Sequence, residues 1–220
     1  MIISLEGLKN FPVLHAISDR GISHGDFLKR VGAAGFPVAR LEQVHGGKVV
    51  RIDGKTDLSK EIPGTDGAIT NIKGIALSVR TADCLPILFY DPEHNAIGIA
   101  HAGWRSTKER IARNVVKAMK ANYKSVPSQI LVGMGPALRQ CCYEVNSEFL
   151  VHFPGSVVKM AHRHYFDIAG ENAGQLISSC VSAKNIFDCG ICTACRNDEF
   201  FSFRKEKDKA GRMLSVIMLK

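Results

Sequence analysis

Two short apolar runs joined by a tight turn constrain the fold of this 220-residue chain more than any other feature. Residues 85–90 and 96–100 have the length and composition of buried strands, and the DPEHN segment between them is typical of a hairpin turn. Other strands also follow one another without strict alternation with helices. The pattern therefore predicts an α+β fold with mixed or antiparallel sheets, and it disfavours a doubly wound fold. The length favours one domain over residues 1–220.

Periodicity predicts the remaining elements. Further strands are expected at 1–5, 13–18, 38–41, 49–52, 67–70, 75–80, 129–134 and 185–188, and as a closing pair at 200–204 and 213–219. Helices are expected at 26–34, 107–124, 147–152 and 170–183.

Three side chains around the hairpin are candidate metal ligands. Cys84 lies just before its first strand, His101 follows its second strand, and His45 lies upstream in LEQVHGGKVV, at the start of another strand. Two imidazoles and a thiolate suit a tetrahedral zinc ion with one open position, which would take water or substrate. Other interpretations of these residues stay open. Cys84 is a buried small side chain or a nucleophile activated by histidine, and His101 is a hydrogen-bonded core residue.

Four polar residues are further candidates for the chemistry. Asp83, beside Cys84, is a candidate general acid or base. Arg20 and Arg105 each lie near a glycine and hydroxyl residues, and arginine binds phosphate bidentately, although both fit a solvated surface equally well. Gln43, two residues before His45, is a candidate contact for substrate or phosphate.

The seven cysteines are more typical of buried, metal-binding or reactive thiols than of disulfides. The CGICTAC run at 189–195 resembles a zinc or iron–sulfur hook, but a fourth ligand at suitable spacing is missing. Cys141 and Cys142 are adjacent, so we expect them to be structural and not to share a metal ion easily. The two histidines of AHRHYF at 161–166 are expected on the surface.

Composition narrows the class of partners. The net charge of +8 suggests anionic partners, and the scattered basic residues with few interleaved aromatic residues favour phosphate or a phosphorylated small molecule over nucleic acid. No apolar run approaches the ~20 residues of a membrane span, and the N-terminus does not resemble a signal peptide. We therefore expect a cytoplasmic protein without membrane contact. We also expect a monomer.

Several segments together resemble one family. They are QVHG at 43–46, GTDGAIT at 64–70, TADCLP at 81–86, HAGWRS at 101–106, GPALRQCCYEV at 135–145, CT at 192–193 and FFSFRKEKDKAGRMLSVIML at 200–219. In this order they resemble the YfiH family, also called laccase-domain or multicopper polyphenol oxidase-like proteins and peptidoglycan editing factors. The resemblance spans nearly the whole chain.

The resemblance implies a single-domain α/β sandwich with mixed sheets, related to the cysteine-hydrolase-like toxin fold. It also implies a zinc ion on His45, Cys84 and His101, phosphorolysis of adenosine, inosine, guanosine and methylthioadenosine, and deamination of adenosine. Arg20 falls in the family's TTR-x-GG-V-S segment, near the substrate. This chain reads ISDRGISHGD there, so the threonines and one glycine are missing.

Three other functions use the same residues. Copper-dependent phenol oxidation would need a Cys–His₂ site and a trinuclear cluster, and the chain has only eight histidines. A hydrolase using Cys84 and His101, acting in peptidoglycan precursor editing, would work without a metal. A non-enzymatic binding protein would hold zinc and turn over no nucleoside.

Overall fold

The computed structural model describes residues 2–220, and Met1, at the start of the predicted strand 1–5, lies outside them. Its strands are β1 (Ile2–Ile3), β2 (Val13–Ser18), β3 (Val38–Arg40), β4 (Val49–Arg51), β5 (Gly67–Thr70), β6 (Ala76–Thr81), β7 (Leu85–Asp91), β8 (Ala96–Ala102), β9 (Leu131–Met134), β10 (Glu144–Val145), β11 (Val157–Met160), β12 (Arg163–Phe166), β13 (Ile186–Asp188) and β14 (Met213–Leu219). Its helices are α1 (His24–Val31), α2 (Trp104–Lys108), α3 (Ile111–Tyr123), α4 (Phe149–His152), α5 (Ile168–Ile177) and α6 (Phe203–Glu206).

The predicted hairpin forms the centre of a six-stranded sheet. β7 and β8 pair antiparallel from Leu85 opposite Ala102 to Asp91 opposite Ala96. The strand order is β13-β9-β7-β8-β5-β4, with parallel pairs at both edges. A five-stranded sheet, β1-β2-β14-β6-β3, is antiparallel except for its β3–β6 pair. The prediction of an α+β fold with mixed sheets is confirmed.

Apolar side chains hold these sheets and the helices in layers. Leu77 and Ile217 of the five-stranded sheet share one buried cluster with Leu88 and Ile99 of the six-stranded sheet. On the other face of the six-stranded sheet, a second cluster contains residues of α3 and α5, including Val115. Helix α1 covers the outer face of the five-stranded sheet. The result is an α/β sandwich, in which each fully buried aliphatic side chain contributes about 1.5–3 kcal/mol.

Two predicted elements are wrong. The helix expected at 107–124 is divided into α2 and α3 at Arg110, which has a left-handed φ of 59°. The strand expected at 200–204 is absent, because residues from Phe203 form α6 instead. One local and one tertiary contact stabilise that helical turn: the Glu206 carboxylate accepts from the N–H of Ser202, the residue before the helix, at 3.1 Å and from the distant Arg20 at 2.7 Å.

A small sheet beside the hairpin was not predicted. β10, β12 and β11 form an antiparallel three-stranded sheet. Its strands have two to four residues, too few to show a clear alternation of apolar and polar side chains. Phe166 of this sheet belongs to an aromatic cluster with Phe149 and Phe153, against which Trp104 and Tyr143 pack. Among residues 2–220, no helix combines the length and apolar character needed to cross a bilayer.

Candidate metal centre and cleft

The structure brings together the three side chains predicted as metal ligands. Cys84 immediately precedes β7, and His101 lies in β8 opposite Pro86. His45 lies in the loop before β4. One ligand atom from each residue lies within 4.8 Å of the other two. The Cys84 Sγ is 3.9 Å from His45 Nε2, and the two imidazole rings are 4.8 Å apart between centroids.

A buried carboxylate, which the sequence analysis missed, holds this arrangement. Asp66 is fully buried, and its Oδ1 lies 2.7 Å from His101 Nδ1. The same carboxylate accepts from the backbone N–H groups of His45, at 3.0 Å, and Gly46, at 2.7 Å. Because Nδ1 of His101 is engaged by Asp66, its Nε2 is left for a ligand. The signal in the sequence was the acid of GTDG directly before β5.

Gly103 leaves the space that the ligands need. A Cβ at this position would lie 2.8 Å from His45 Cδ2 and 3.1 Å from the Cys84 sulfur. Its φ of −74° is accessible to any residue, so the requirement for glycine here is steric and not conformational.

Mutual electrostatic effects favour the ionised form of this group. Burial raises the pKa of the Cys84 thiol, but His101 and His45 stabilise the thiolate and lower the pKa to about 6. Burial lowers the pKa of His101, but Cys84 and Asp66 raise it to about 9. Burial raises the pKa of Asp66, and its hydrogen bonds from His101 and Gly46 bring the pKa below its ordinary value. Without metal, Cys84 and His101 therefore form a thiolate–imidazolium pair near neutral pH.

The donor set fits a metal ion of the zinc or copper class. A tetrahedral zinc ion with Zn–S of about 2.3 Å and Zn–N of about 2.0–2.1 Å places its sulfur and nitrogen ligands about 3.5 Å apart. The 3.9 Å between the Cys84 and His45 ligand atoms is close to that spacing. Imidazole and thiolate are ligands for both metals, so the residue types alone do not decide between them.

A cleft of about 910 Å³ opens over the three ligands. Its basic lining residues are Arg80, Arg105, Arg204, Lys207 and Arg212, its acidic ones Glu42 and Asp83, and its aromatic ones Trp104, Tyr143 and Phe203. The excess of basic side chains suits an anion, and the aromatic rings suit a flat apolar group. The sequence analysis had selected only Arg105 and Asp83 from this set.

The two predicted anion-binding arginines lie in different places. Arg105 lines the cleft, with its guanidinium 4.3 Å from the centre of the Trp104 ring. The structure does not place Arg20 among the residues that line the cleft. Its guanidinium forms an ion pair with Glu206 at 2.7 Å and donates to the Asn197 carbonyl.

Asp83 and Gln43 line the cleft, but their polar atoms also hold neighbouring segments. The Asp83 carboxylate accepts from the Thr193 hydroxyl and from the Arg204 N–H, both at 2.6 Å. The Gln43 amide donates to the Arg80 carbonyl at 2.7 Å and accepts from the Arg80 N–H at 2.8 Å. These bonds fasten the His45 loop to β6. The catalytic role of Asp83 and the substrate contact of Gln43 stay predictions.

Cys141 and Cys142 belong to one group of sulfur atoms with Cys192 and Cys195, an arrangement that the sequence did not predict. The sulfur atoms of Cys141, Cys142, Cys192 and Cys195 lie within 4.8 Å of one another. The CGICTAC run contributes two of these sulfurs, and the adjacent pair some fifty residues upstream contributes the other two. Adjacent cysteines reach the same cluster because the chain turns at 139–143, where the N–H groups of residues 142 and 143 both donate to the carbonyl of residue 139.

Comparison with known sequences decides the family. The profile of a family described as multi-copper polyphenol oxidoreductase laccase matches residues 25–220. The chain belongs to this laccase-like family. Within it, the chain is 33% identical over 200 residues to the purine nucleoside phosphorylase YlmD of Geobacillus stearothermophilus, covering 83% of this chain and 73% of that protein.

One further relative and two solved structures are similar to this chain. The chain is 31% identical over 193 residues to the adenosine deaminase RL5 of an unknown prokaryotic organism, covering 81% of this chain and 73% of that protein. The crystal structure of YlmD from Geobacillus stearothermophilus superimposes with a TM-score of 0.87 at 26% identity, over 95% of this chain and 92% of that one. The YfiH protein of Bacillus licheniformis, at 22% identity, has a TM-score of 0.88 over 94% of this chain and 93% of that one.

Proposed function

We propose that this chain is a zinc-dependent purine nucleoside enzyme. It cleaves adenosine, inosine, guanosine and methylthioadenosine with phosphate, giving the free base and the sugar 1-phosphate, and it deaminates adenosine to inosine. The observation that carries the proposal is the convergence of His45, Cys84 and His101 in a basic and aromatic cleft. The names of the two relatives, a phosphorylase and a deaminase, support the substrate class.

His45, Cys84 and His101 are the residues that would hold the metal. A zinc ion in such a site supplies Lewis acidity and lowers the pKa of a water molecule to about 7. Asp66 positions two of the three ligands, since it engages His101 Nδ1 and the His45 N–H. The open side of the ligand group faces the cleft, where the nucleoside would bind.

Basic side chains of the cleft would hold the second substrate. In phosphorolysis a phosphate oxygen forms a bond to ribose C1′ while the C1′–N9 bond breaks, and the electron pair goes to the purine, which takes up a proton. Arg105 and Arg204 line the same cleft as the metal ligands, and arginine binds phosphate through two parallel N–H groups. Asp83, the predicted general acid or base of the deamination, lines the same cleft.

Aromatic side chains would bind the purine. Trp104, Tyr143 and Phe203 line the cleft, and Phe203 is 45% exposed, so its ring is available to a ligand. Burial raises the pKa of the Tyr143 hydroxyl, as does the Cys84 charge, so this hydroxyl stays protonated and can donate to the base.

The test is a product analysis of purified protein by chromatography, with each of the four nucleosides, in the presence and absence of phosphate. We expect free base and sugar 1-phosphate only with phosphate, and inosine from adenosine in both conditions. A protein with zinc on the three ligands that turns over none of the four nucleosides would refute the proposal.

A Cys–His hydrolase is the second candidate, and one observation favours it. Asp66, His101 and Cys84 form a carboxylate–imidazole–thiol series, because His101 contacts both of the others. This series resembles the arrangement of cysteine hydrolases, in which a histidine activates the thiol. Alkylation of Cys84 in metal-free protein would abolish such a hydrolase activity. Zinc would also inhibit it, whereas the proposed nucleoside activity requires zinc.

Copper-dependent phenol oxidation has less support from the side chains. Within residues 2–220, two groups of three or more possible metal ligands occur, and one of them consists of cysteines alone. A blue copper site together with a histidine-rich trinuclear cluster needs more ligands than these. Copper in a several-fold excess over protein, with a blue absorption band, would favour the oxidase.

A further inference from the structure

Four cysteines form a second cluster outside the three-ligand group. The Cys195 sulfur lies 3.4 Å from that of Cys142 and 3.6 Å from that of Cys141, and all four sulfur atoms, including that of Cys192, lie within 4.8 Å of one another. Cys192 is buried, whereas Cys141 and Cys195 are exposed. The cluster can therefore take up an ion from solvent.

Protein contacts alone bring the two cysteine segments together. The Ala137 N–H donates to the Ile191 carbonyl at 3.2 Å, and the Thr193 N–H donates to the Ala137 carbonyl at 3.0 Å. The Arg139 guanidinium spans the same two segments through both oxygens of Asp188, each at 2.6 Å. Backbone groups at residues 139 and 195 also hydrogen-bond the Cys192 sulfur. The four sulfurs are thus positioned before any ion binds.

The spacing and chemistry of the sulfurs select one kind of occupant. A single zinc ion with four thiolates at about 2.3 Å has sulfur–sulfur distances of about 3.8 Å. The sulfur–sulfur separations of 3.4 and 3.6 Å, with the others no longer than 4.8 Å, are close to this value. An iron–sulfur cluster distributes its thiolates over several iron atoms, so its cysteines stand farther apart. Four protein ligands also leave no open position, which is typical of structural zinc.

We propose that Cys141, Cys142, Cys192 and Cys195 bind one structural zinc ion. Each thiol loses its proton to solvent when the ion binds, because the thiolate is the ligand. The proposal does not depend on the activity of the three-ligand group.

This ion stabilises one wall of the cleft. Tyr143 follows Cys142 directly and lines the cleft. Thr193 follows Cys192 and donates to the Asp83 carboxylate at 2.6 Å, next to Cys84. The cluster therefore holds two segments in place. One carries Tyr143, which lines the cleft, and the other carries Thr193, which contacts Asp83.

The test uses full-length Cys84→Ala protein, in which the three-ligand group has lost its thiolate. The protein is purified under reducing conditions, loaded with zinc or with Co²⁺, and freed of weakly bound ions. We expect about one zinc per chain by mass spectrometry, and with Co²⁺ the visible and near-ultraviolet bands of a tetrahedral four-thiolate site. Adding Cys142→Ser and Cys195→Ser should remove both signals.

Cys189→Ser in the same background is the matched control. Cys189 belongs to the same run, but its sulfur contacts Arg139 at 3.8 Å and is not in the cluster, so this variant should keep the ion.

The Cys84→Ala spectrum requires no cluster variant to fold. The proposal would be overturned if Cys84→Ala protein retained no zinc after loading and removal of weakly bound ions. The proposal would also be overturned by a Cys142–Cys195 disulfide that persists under reducing conditions, or by iron bound together with acid-labile sulfide. Wild-type protein that holds zinc at both groups and turns over none of the four nucleosides would refute only the proposed function.

Discussion

The three-ligand group and the four-cysteine cluster stand on different parts of the fold. His101 lies in the central β7–β8 hairpin and is 4% exposed, and the carboxylate that orients it, Asp66, is fully buried. The four cysteines lie on two surface loops, with two of their sulfurs exposed. A buried carboxylate oriented toward a histidine has to be held by the core, whereas the four sulfurs are held by hydrogen bonds between the two loops.

The number of ligands gives the two groups different capacities. Three ligands leave a position for water or substrate, and this group opens into a cleft of about 910 Å³. Four thiolates close the coordination sphere, so the ion can only hold the loops. Substitutions in the first group should therefore affect turnover most, and substitutions near the second should affect mainly stability.

The largest effect is expected from Cys84→Ala. Nucleoside phosphorolysis and adenosine deamination should both fall to background, because the variant removes the thiolate of the three-ligand group. Product formation and bound zinc are measured on the same preparation. Cys180→Ser, at an exposed cysteine outside both groups, is the control and should retain both activities. Retention of either activity by metal-free Cys84→Ala protein would contradict a shared site.

Asp66→Asn should reduce activity by about 10–100-fold, the usual cost of removing a partner that orients a metal-binding histidine. An amide at this position cannot accept from His45, Gly46 and His101 at the same time. Zinc affinity, measured by competition with a chelator, should fall with activity. Zinc in the four-cysteine cluster should be unchanged, and loss of both ions together would mean that the variant unfolds the chain.

Gly103→Ala tests the steric requirement at the three-ligand group. The new methyl group would lie 2.8 Å from the His45 ring, so we expect about a tenfold or larger loss of zinc affinity. Gly155→Ala is the matched control, since a Cβ there meets nothing within 4 Å. Equal zinc affinity in the two variants would mean that the ligands shift freely.

Arg105→Ala separates the two reactions. The KM for phosphate should rise by about tenfold or more, because a charged hydrogen bond contributes about 1.5–3 kcal/mol. Deamination of adenosine, which uses no phosphate, should change little. Arg20→Ala is the comparison: its guanidinium is paired with Glu206 and does not line the cleft, so the KM for phosphate should be unchanged. The reverse result would restore Arg20 as the phosphate ligand.

Thr193→Val tests the contact between the two regions and should have the smallest effect. It removes the 2.6 Å hydrogen bond to Asp83, and the free energy of unfolding should fall by about 1–3 kcal/mol. Turnover should fall only a few-fold, and both ions should remain bound. Loss of turnover comparable with that of Cys84→Ala would show that this contact belongs to the catalytic machinery.

The sequence predicted the parts of the fold that depend on local pattern. The β7–β8 hairpin and the long strand β14 are continuous apolar runs, so length and turn residues were sufficient to locate them. Helix α6 was missed because it has only four residues and one of the contacts that hold it comes from the distant Arg20. The three-stranded sheet was missed because its strands are too short for a periodic signal.

For the candidate site, residue chemistry selected the three side chains that converge but not the groups that position them. Asp66 is separated from His101 by 35 residues, and only the β5–β8 pairing brings it close. Cys195 and Cys142 are 53 residues apart and meet through loop contacts that spacing rules do not describe. Chemically distinctive residues were therefore predictable, whereas their partners required the tertiary structure.

The most direct test of the central claim is to restore zinc to metal-free wild-type protein in measured amounts and to follow hypoxanthine release from inosine and phosphate. We expect no activity without metal and recovery in proportion to the zinc bound at His45, Cys84 and His101, with no recovery in Cys84→Ala. Metal-free protein that is as active as the zinc-loaded protein would contradict the claim.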